Sequence, residues 1–374
     1  MQVVDSISAI PVVAWDALAG DSPFLAHAFI LALEMSGSAV AGTGWQTQFL
    51  LAYEQSRLVG AMPMYLKSHS YGEYVFDWAW AEAYERHGLA YYPKLLCAVP
   101  FTPVTGGRLL ANSDAIRVAL IEAALNLARE SGVSSLHCLF PTEQQAQLCC
   151  DAGMLLRKNV QFHWHNRDYI DFDAYLAEMN NEKRKKIKQE RRRVREAGIQ
   201  FEWVLGNDAT PTQWAFFYEC YQLTYQLHRS TPYLNLDFFQ RIGASMGEHI
   251  LLVFAVREGR PIASALNMFN QHTLYGRYWG ALEFYSGLHF EACYYQAIEF
   301  CIARNIRVFE GGAQGEHKLA RGFLPTVTWS AHWLAHAGFT HAVEDFLQRE
   351  STGVDHYASE LFERNPFKAL LPSE

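Results

Sequence analysis

The chain lacks a long apolar run, a C-x-x-C pair and any Lys or Arg before Arg57. Each absence removes a class of protein. Its most apolar N-terminal stretch, FLAHAFILALEM, is interrupted by His27 and Glu34 and is too short to span a bilayer. Without early basic residues the N-terminus has no charged region of the kind a secretory signal needs. The seven cysteines, Cys97, Cys138, Cys149, Cys150, Cys220, Cys293 and Cys301, are odd in number and irregularly spaced, which fits reduced core thiols. The expectation is a cytoplasmic protein with no integral membrane segment. There is also no G-x-x-x-x-G-K-[ST], G-x-S-x-G, H-E-x-x-H or strict G-x-G-x-x-G, so P-loop, serine-hydrolase, zincin and dinucleotide readings lose ground. His289, Glu291 and Cys293, or His163 and His165, make only partial ligand sets and read as packed core, so no metal is expected.

What is present is enough apolar sequence for two cores: 374 residues, 50% hydrophobic and only 19% charged. The stretch 50–76, LLAYEQSRLVGAMPMYLKSHSYGEYVF, reads against 251–279, LLVFAVREGRPIASALNMFNQHTLYGRYW. Each has an apolar strand, a charged turn, a second strand and a Tyr-Gly-x-Tyr. Downstream, a helical SDAIRVALIEAALNLARESG leads to SSLHCLF, and HFEACYYQAIEFCIARN leads to IRVFEG. The pattern predicts two copies of one mixed α/β unit, at residues 1–170 and 199–374, the latter with a C-terminal helix. A basic helix at 171–198 connects them.

Charge is concentrated in that connector. Net charge is −8, yet residues 182–196 hold nine cations and three acids, or +6, leaving −14 elsewhere. Lys183, Arg184, Lys188, Arg191 and Arg192 on this helix are candidates for a phosphate-bearing ligand, tRNA included.

The stretch 308–323, VFEGGAQGEHKLARGF, begins where a buried strand runs out, the usual place for ligands in α/β folds. Gly311, Gly312 and Gly315 allow close backbone approach, Glu310, Glu316 or His317 can accept a proton, and Lys318 and Arg321 can hold an anion. Two strand-to-helix connections add donor-binding candidates: Gly106, Gly107 and Arg108 in the first copy, and Tyr275, Arg277, Trp279 and His289 in the second. The aromatic-dense segment after residue 70 offers Glu73 and Asp77, with His163, as a substrate groove.

The motifs SHSYGEYVFDWAWAEAYERHGLAYYPKLLCAVPFTPVTGGRLL, QFHWHN, KRKKIKQERRRV and GGAQGEHKLARGF together resemble a bacterial family of N-acyltransferases. That family is related to the FemAB-type aminoacyltransferases that extend peptidoglycan peptides, within the GNAT superfamily. The resemblance implies two tandem GNAT units, each a mixed central sheet flanked by helices, and transfer of an acyl or aminoacyl group to an amine. The donor would be acyl-CoA or aminoacyl-tRNA as co-substrate, with no bound cofactor. The acceptor would be an amine-bearing small molecule or a cell-wall peptide precursor. No long helical arm of the kind some FemAB enzymes use for tRNA is visible, which weighs against an aminoacyl-tRNA donor. The chemistry asks for a base for the amine (Glu310, Glu316 or His317), oxyanion donors (amides near 275–279, or at Gly311 and Gly312) and a partner for the leaving group (Tyr275, Tyr278 or a cation). The competing expectation is a non-catalytic binding protein that keeps the transferase fold and recognises cell-wall peptide or RNA.

Overall fold

Two hairpins, each turning on two residues with left-handed backbone, mark the halves that the sequence repeat predicts. In the computed structural model, which describes residues 1–312 and 315–368, β1 (Phe49–Glu54) and β2 (Arg57–Met62) are joined by Gln55 and Ser56 at φ 46° and 69°. Two successive positive φ values give the strand twist a tight hairpin needs.

The chain divides into two units, Met1–Asn159 with Val327–His356, and Val160–Thr326 with Tyr357–Glu374. The basic helix therefore belongs to the second unit, and a strand and most of the last helix belong to the first.

In the first unit β1 and β2 lie in a four-stranded sheet. Pro63 ends β2, and β3 (Met64–Lys67) pairs antiparallel with β4 (Lys94–Cys97) in another sheet. The helix α1 (Trp78–Arg86) lies between them in sequence. The long helix α2 (Asp114–Glu130) starts on Ser113, whose side chain accepts the Ile116 amide. It packs Leu120, Ile121, Ala124 and Ala128 into a core with Leu50, Met62 and Leu136. The strand β5 (Ser135–Leu139) runs parallel to β4 and antiparallel to Ser330–Leu334. The parallel β4–β5 pair, joined through α2, makes this a mixed α/β unit.

In the second unit the first segment is the end of β6 (Leu155–His165). The helices α3 (Phe172–Glu178) and α4 (Asn181–Glu196) follow, separated where the Asn180 side chain caps α4 by accepting the Lys183 amide. Then come β7 (Ile199–Leu205), α5 (Pro211–Leu227), α6 (Leu236–Met246) and the hairpin of β8 (Ile250–Arg257) and β9 (Arg260–Phe269), whose turn Glu258–Gly259 has φ 52° and 73°. β10 (Thr273–Ala281), the helix α7 (residues 288–303) and β11 (Val308–Glu310) complete it. Strand order is β7-β8-β9-β10-β11-β6, with only β10 and β11 parallel. The Tyr-Gly-x-Tyr correspondence fails: residues 275–278 lie in β10, but Tyr71–Tyr74 lie in a loop. There the segment after β3 folds over a sheet face and does not extend a strand. Among the described residues no helix is long and apolar enough to cross a membrane.

Candidate functional site

β10 and β11 pair only from Thr273–Val308 to Tyr275–Glu310, and from Gly276 onward no strand pairs with that edge of β10 among the described residues. The cause lies in β9. Asn267 sits opposite Gly276 and Leu266 opposite Tyr278, so Arg277 is the extra residue of a β-bulge. A bulge adds twist and turns its strand away from its neighbour. Gly276 fits because a Cβ there would stand 3.1 Å from the Phe309 ring. A pocket of about 130 Å³ lies at the opening, lined among others by Asn267, Arg277, Trp279, His289, Cys293, Tyr294 and Gly311.

The register separates the candidates onto two faces, because directly paired residues point the same way. Tyr275, Glu310 and His163 share the face covered by α5 and α6, where Tyr278 packs on Tyr221 and Phe239. Asn267, Gly276 and Phe309 share the other face, under α7, where Phe309 meets Phe323 and Phe323 meets Tyr294. The two sides meet only where the strands part. There His163 Nε2 lies 3.9 Å from Glu310 Oε2 and has no hydrogen-bond partner among the described residues. Burial holds His163 far down, to about 3, so it is neutral at physiological pH.

α7 widens to a π-turn at Glu291–Tyr295, a feature that re-aims side chains and is common at functional sites. It directs Cys293 and Tyr294 into the pocket. Tyr294 Oη is 3.2 Å from His317 Nε2, and the His289 and His317 rings are 6.3 Å apart. Burial pushes His289 down to about 4. It also lowers the buried Lys318 to about 8, and Lys318 Nζ donates to the Gly312 carbonyl at 3.3 Å.

Other candidates have different work. Arg321 donates from Nη2 to both oxygens of Glu190 on α4 at 2.9 Å, so it ties the loop to the basic helix and does not hold an external anion. Glu316 is exposed and bonded to Arg364 at 3.1 Å. The Gly311 amide is spent on the Phe162 carbonyl at 2.9 Å, which removes it as an oxyanion donor. Gly315, at φ 103°, serves the turn; a Cβ there would lie 2.2 Å from the His317 ring. Gly312 has φ 79°. On α4, Arg191 is fixed between Glu291 and Glu299 at 2.9 Å each. Lys188 and Arg192 line a groove of about 1350 Å³ together with Lys185, Lys186 and Arg195. Lys183 lies 3.1 Å from Glu182, and Arg184 bonds Asn181.

In the first unit Arg108 is buried and its guanidinium donates to the carbonyls of Leu139, Val104 and Gly107, while the Gly106 amide donates to Phe140. With Gly107 beside the Gln145 side chain, this connection braces the fold and presents no anion site. Glu73 and Asp77 face inward, 4% and 3% exposed. Both are buried against Lys94, which reaches Glu73 at 2.8 Å and also Asp77. Tyr91 donates to Asp77 at 2.6 Å, and His137 and His332 sit 2.7 Å apart beside them. Burial lifts Glu73 to about 7 against the pull of Lys94. The aromatic-dense segment brings its carboxylates inward because Lys94 on the sheet must be neutralised. Among the described residues no three His, Cys, Asp or Glu converge as metal ligands.

Sequence reasoning passed over Asn267. It is 1% exposed, lines the pocket, and among the described residues its Nδ2 has no hydrogen-bond partner. One signal was available, a lone amide within the apolar strand PIASALNMF.

Similar solved structures include the C-terminal domain (DUF2156) of a provisionally assigned lysylphosphatidylglycerol synthetase from Agrobacterium fabrum, 9% identical with a TM-score of 0.56 over 89% of this chain and 93% of that one. FemX is 11% identical, TM-score 0.55, over 92% of this chain and 100% of that one. L-PGS from Bacillus licheniformis is 10% identical, TM-score 0.53, over 86% and 95%. At such identities the likeness is one of fold alone. No curated protein sequence matches the chain. A family profile matches residues 6–369, nearly the whole length, and the chain thus belongs to the FemAB-like family, described as peptidoglycan biosynthesis/recognition.

Proposed function

We propose that the protein is an N-acyltransferase that moves an acyl or aminoacyl group from an activated donor to an amine, with a cell-wall peptide precursor as the acceptor class. The observation that carries this reading is the parting of β10 and β11 beyond Tyr275 and Glu310, with a small pocket at the opening. A gap between strands lets a donor reach from one sheet face and an amine from the other, so that the reacting atoms meet in a water-poor slot. In this scheme the donor carbonyl lies on the pocket side among Asn267, Tyr294 and Cys293. The amine approaches beside Glu310.

Attack by the amine forms the new C–N bond and a tetrahedral oxyanion. Glu310, backed by neutral His163, takes the ammonium proton, directly or through a water. The Lys318 ammonium, with backbone N–H groups of β10 at the opening, faces the negative charge. Collapse expels the thiolate or ribose hydroxyl of the donor, and Lys318 stands as the proton source for it. No covalent enzyme intermediate is needed.

Acyl-CoA and aminoacyl-tRNA both fit this chemistry as donors, and the family description, peptidoglycan biosynthesis/recognition, supports a cell-wall acceptor. The test is product detection by mass spectrometry, with CoA thioesters and aminoacyl-tRNAs as donors and a muramyl peptide as acceptor. Product that is lost in Glu310→Gln while donor binding persists supports the reading. Binding of donor and acceptor without product, across all donors, would make this a recognition protein.

A further inference from the structure

The turn at residues 282–287, between β10 and α7, carries two large apolar side chains that are exposed among the described residues. Phe284 is 94% exposed and Leu282 is 42% exposed. The turn is not loose. The Leu282 amide donates to Ile262 at 2.8 Å, Glu283 pairs with Arg260 at 2.8 Å, and Tyr285 packs in a small core with Val194 and Leu288. A braced turn that holds a phenylalanine outward presents a small, ordered apolar tip that another apolar phase can cover.

Its neighbours include cations, two of them paired: Arg257 with Glu258 at 3.1 Å and Arg260 with Glu283. Gly287 stands against Glu190 of α4, and Arg257, which donates to the Ala197 carbonyl at 3.1 Å, lies under Tyr285. Glu190 and Ala197 belong to one stripe of α4, and helical spacing puts Lys186 and Arg193 on that same stripe. Both are exposed, and among the described residues neither has an ion-pair partner. Arg192 and Arg195 continue the charge around the helix.

We infer that this apolar tip and its collar of cations dock the second unit on the surface of an anionic phospholipid bilayer. Phe284 and Leu282 enter the boundary between head groups and acyl chains, and Lys186, Arg193 and their neighbours meet the lipid phosphates. Apolar side chains beside a basic helix face give this kind of interfacial binding, in which each signal alone is weak. A nucleic acid would satisfy the cations and could stack on Phe284, but it offers nothing to Leu282. The docking is independent of which donor the enzyme uses.

Sedimentation of the full chain with vesicles of phosphatidylcholine alone, or mixed with phosphatidylglycerol, tests it. The protein is expected to sediment with the mixed vesicles, less as salt rises, and not with phosphatidylcholine alone. Phe284→Ser should weaken this about tenfold, as should Lys186→Glu with Arg193→Glu, at unchanged melting temperature. No sedimentation with anionic vesicles at low salt, or equal sedimentation by wild type and both variants, would overturn the inference. Binding of a single-stranded RNA that needs Arg193 but not Phe284, without vesicle binding, would assign the surface to nucleic acid.

Discussion

Arg321 and Glu190 form a two-point contact, with the guanidinium stacked 3.4 Å from the centre of the Phe290 ring and the carboxylate also receiving the Tyr295 hydroxyl. The side chains are 3% and 12% exposed, so solvent screens them little. Arg321→Leu strands the carboxylate and should cost about 3–5 kcal/mol of stability. Urea denaturation measures it. A loss below about 1 kcal/mol would mean that the pair behaves as a surface bridge.

Glu310 and Glu316 are separated by what they touch. Glu310→Gln should lower the acylation rate by roughly a hundredfold or more, the scale of a lost general base. Glu316→Gln, on an exposed bridge to Arg364, should leave the rate within about twofold. Single-turnover rates with a saturating donor distinguish them, and the reverse order would place the base in the glycine-rich loop.

Lys318 gives a pH signature. Its folded pKa, lowered by burial from 10.5 to about 8, means that the folded state binds this proton less readily than the unfolded chain. The charge therefore costs stability below pH 8, and the cost fades as pH rises from about 8 toward 10.5. Lys318→Met should raise the melting temperature at pH 7 and yet lower the rate. In the wild type the rate should fall above pH 8 as the cation is lost. A pH profile flat from about 7 to about 10, from about one unit below the shifted value to about two above it, would remove Lys318 from the reaction.

The basic helix should not respond as a block. Arg191→Glu breaks the contacts to Glu291 and Glu299 and sets three carboxylates together, so it should unfold the second unit or lower its melting temperature sharply. Lys188→Glu with Arg192→Glu, on the exposed face, should leave melting nearly unchanged while weakening any phosphate-bearing ligand in a salt-dependent way. Differential scanning fluorimetry and a salt series read both effects. Equal melting losses in the two variants would contradict the assignment.

The sequence carried much of the fold because hairpins, caps and apolar periodicity are local. The turns at Gln55–Ser56 and Glu258–Gly259, and the helix ending beside Gly198, follow from neighbouring residues alone. The site was legible as a region and not as a set of roles. Glu310 and Glu316 look alike in a string, and only the pairing of β11 with β6 and β10 separates a strand-end carboxylate from one reaching Arg364. Arg108, Arg321 and Asp77 are charged residues whose partners lie 31, 131 and 17 positions away. No periodicity reports such distances. Asn267 was missed because its meaning depends on the bulge opposite it.

The strand Ser330–Leu334 pairs with Ser135–Leu139 of the first unit, although almost all of the second unit lies between them in the chain. On a ribosome, the first unit therefore waits. Its β5 edge is made early and stays open while roughly two hundred residues are added, at a synthesis rate that makes the interval about ten to forty seconds. An open strand edge held that long invites wrong partners, and His137 Nδ1 waits for His332 while Nε2 already has Tyr91 and Ser135. The order of synthesis leaves the first unit incomplete until the chain has passed Leu334, and the second until its own closing segment from Tyr357 follows.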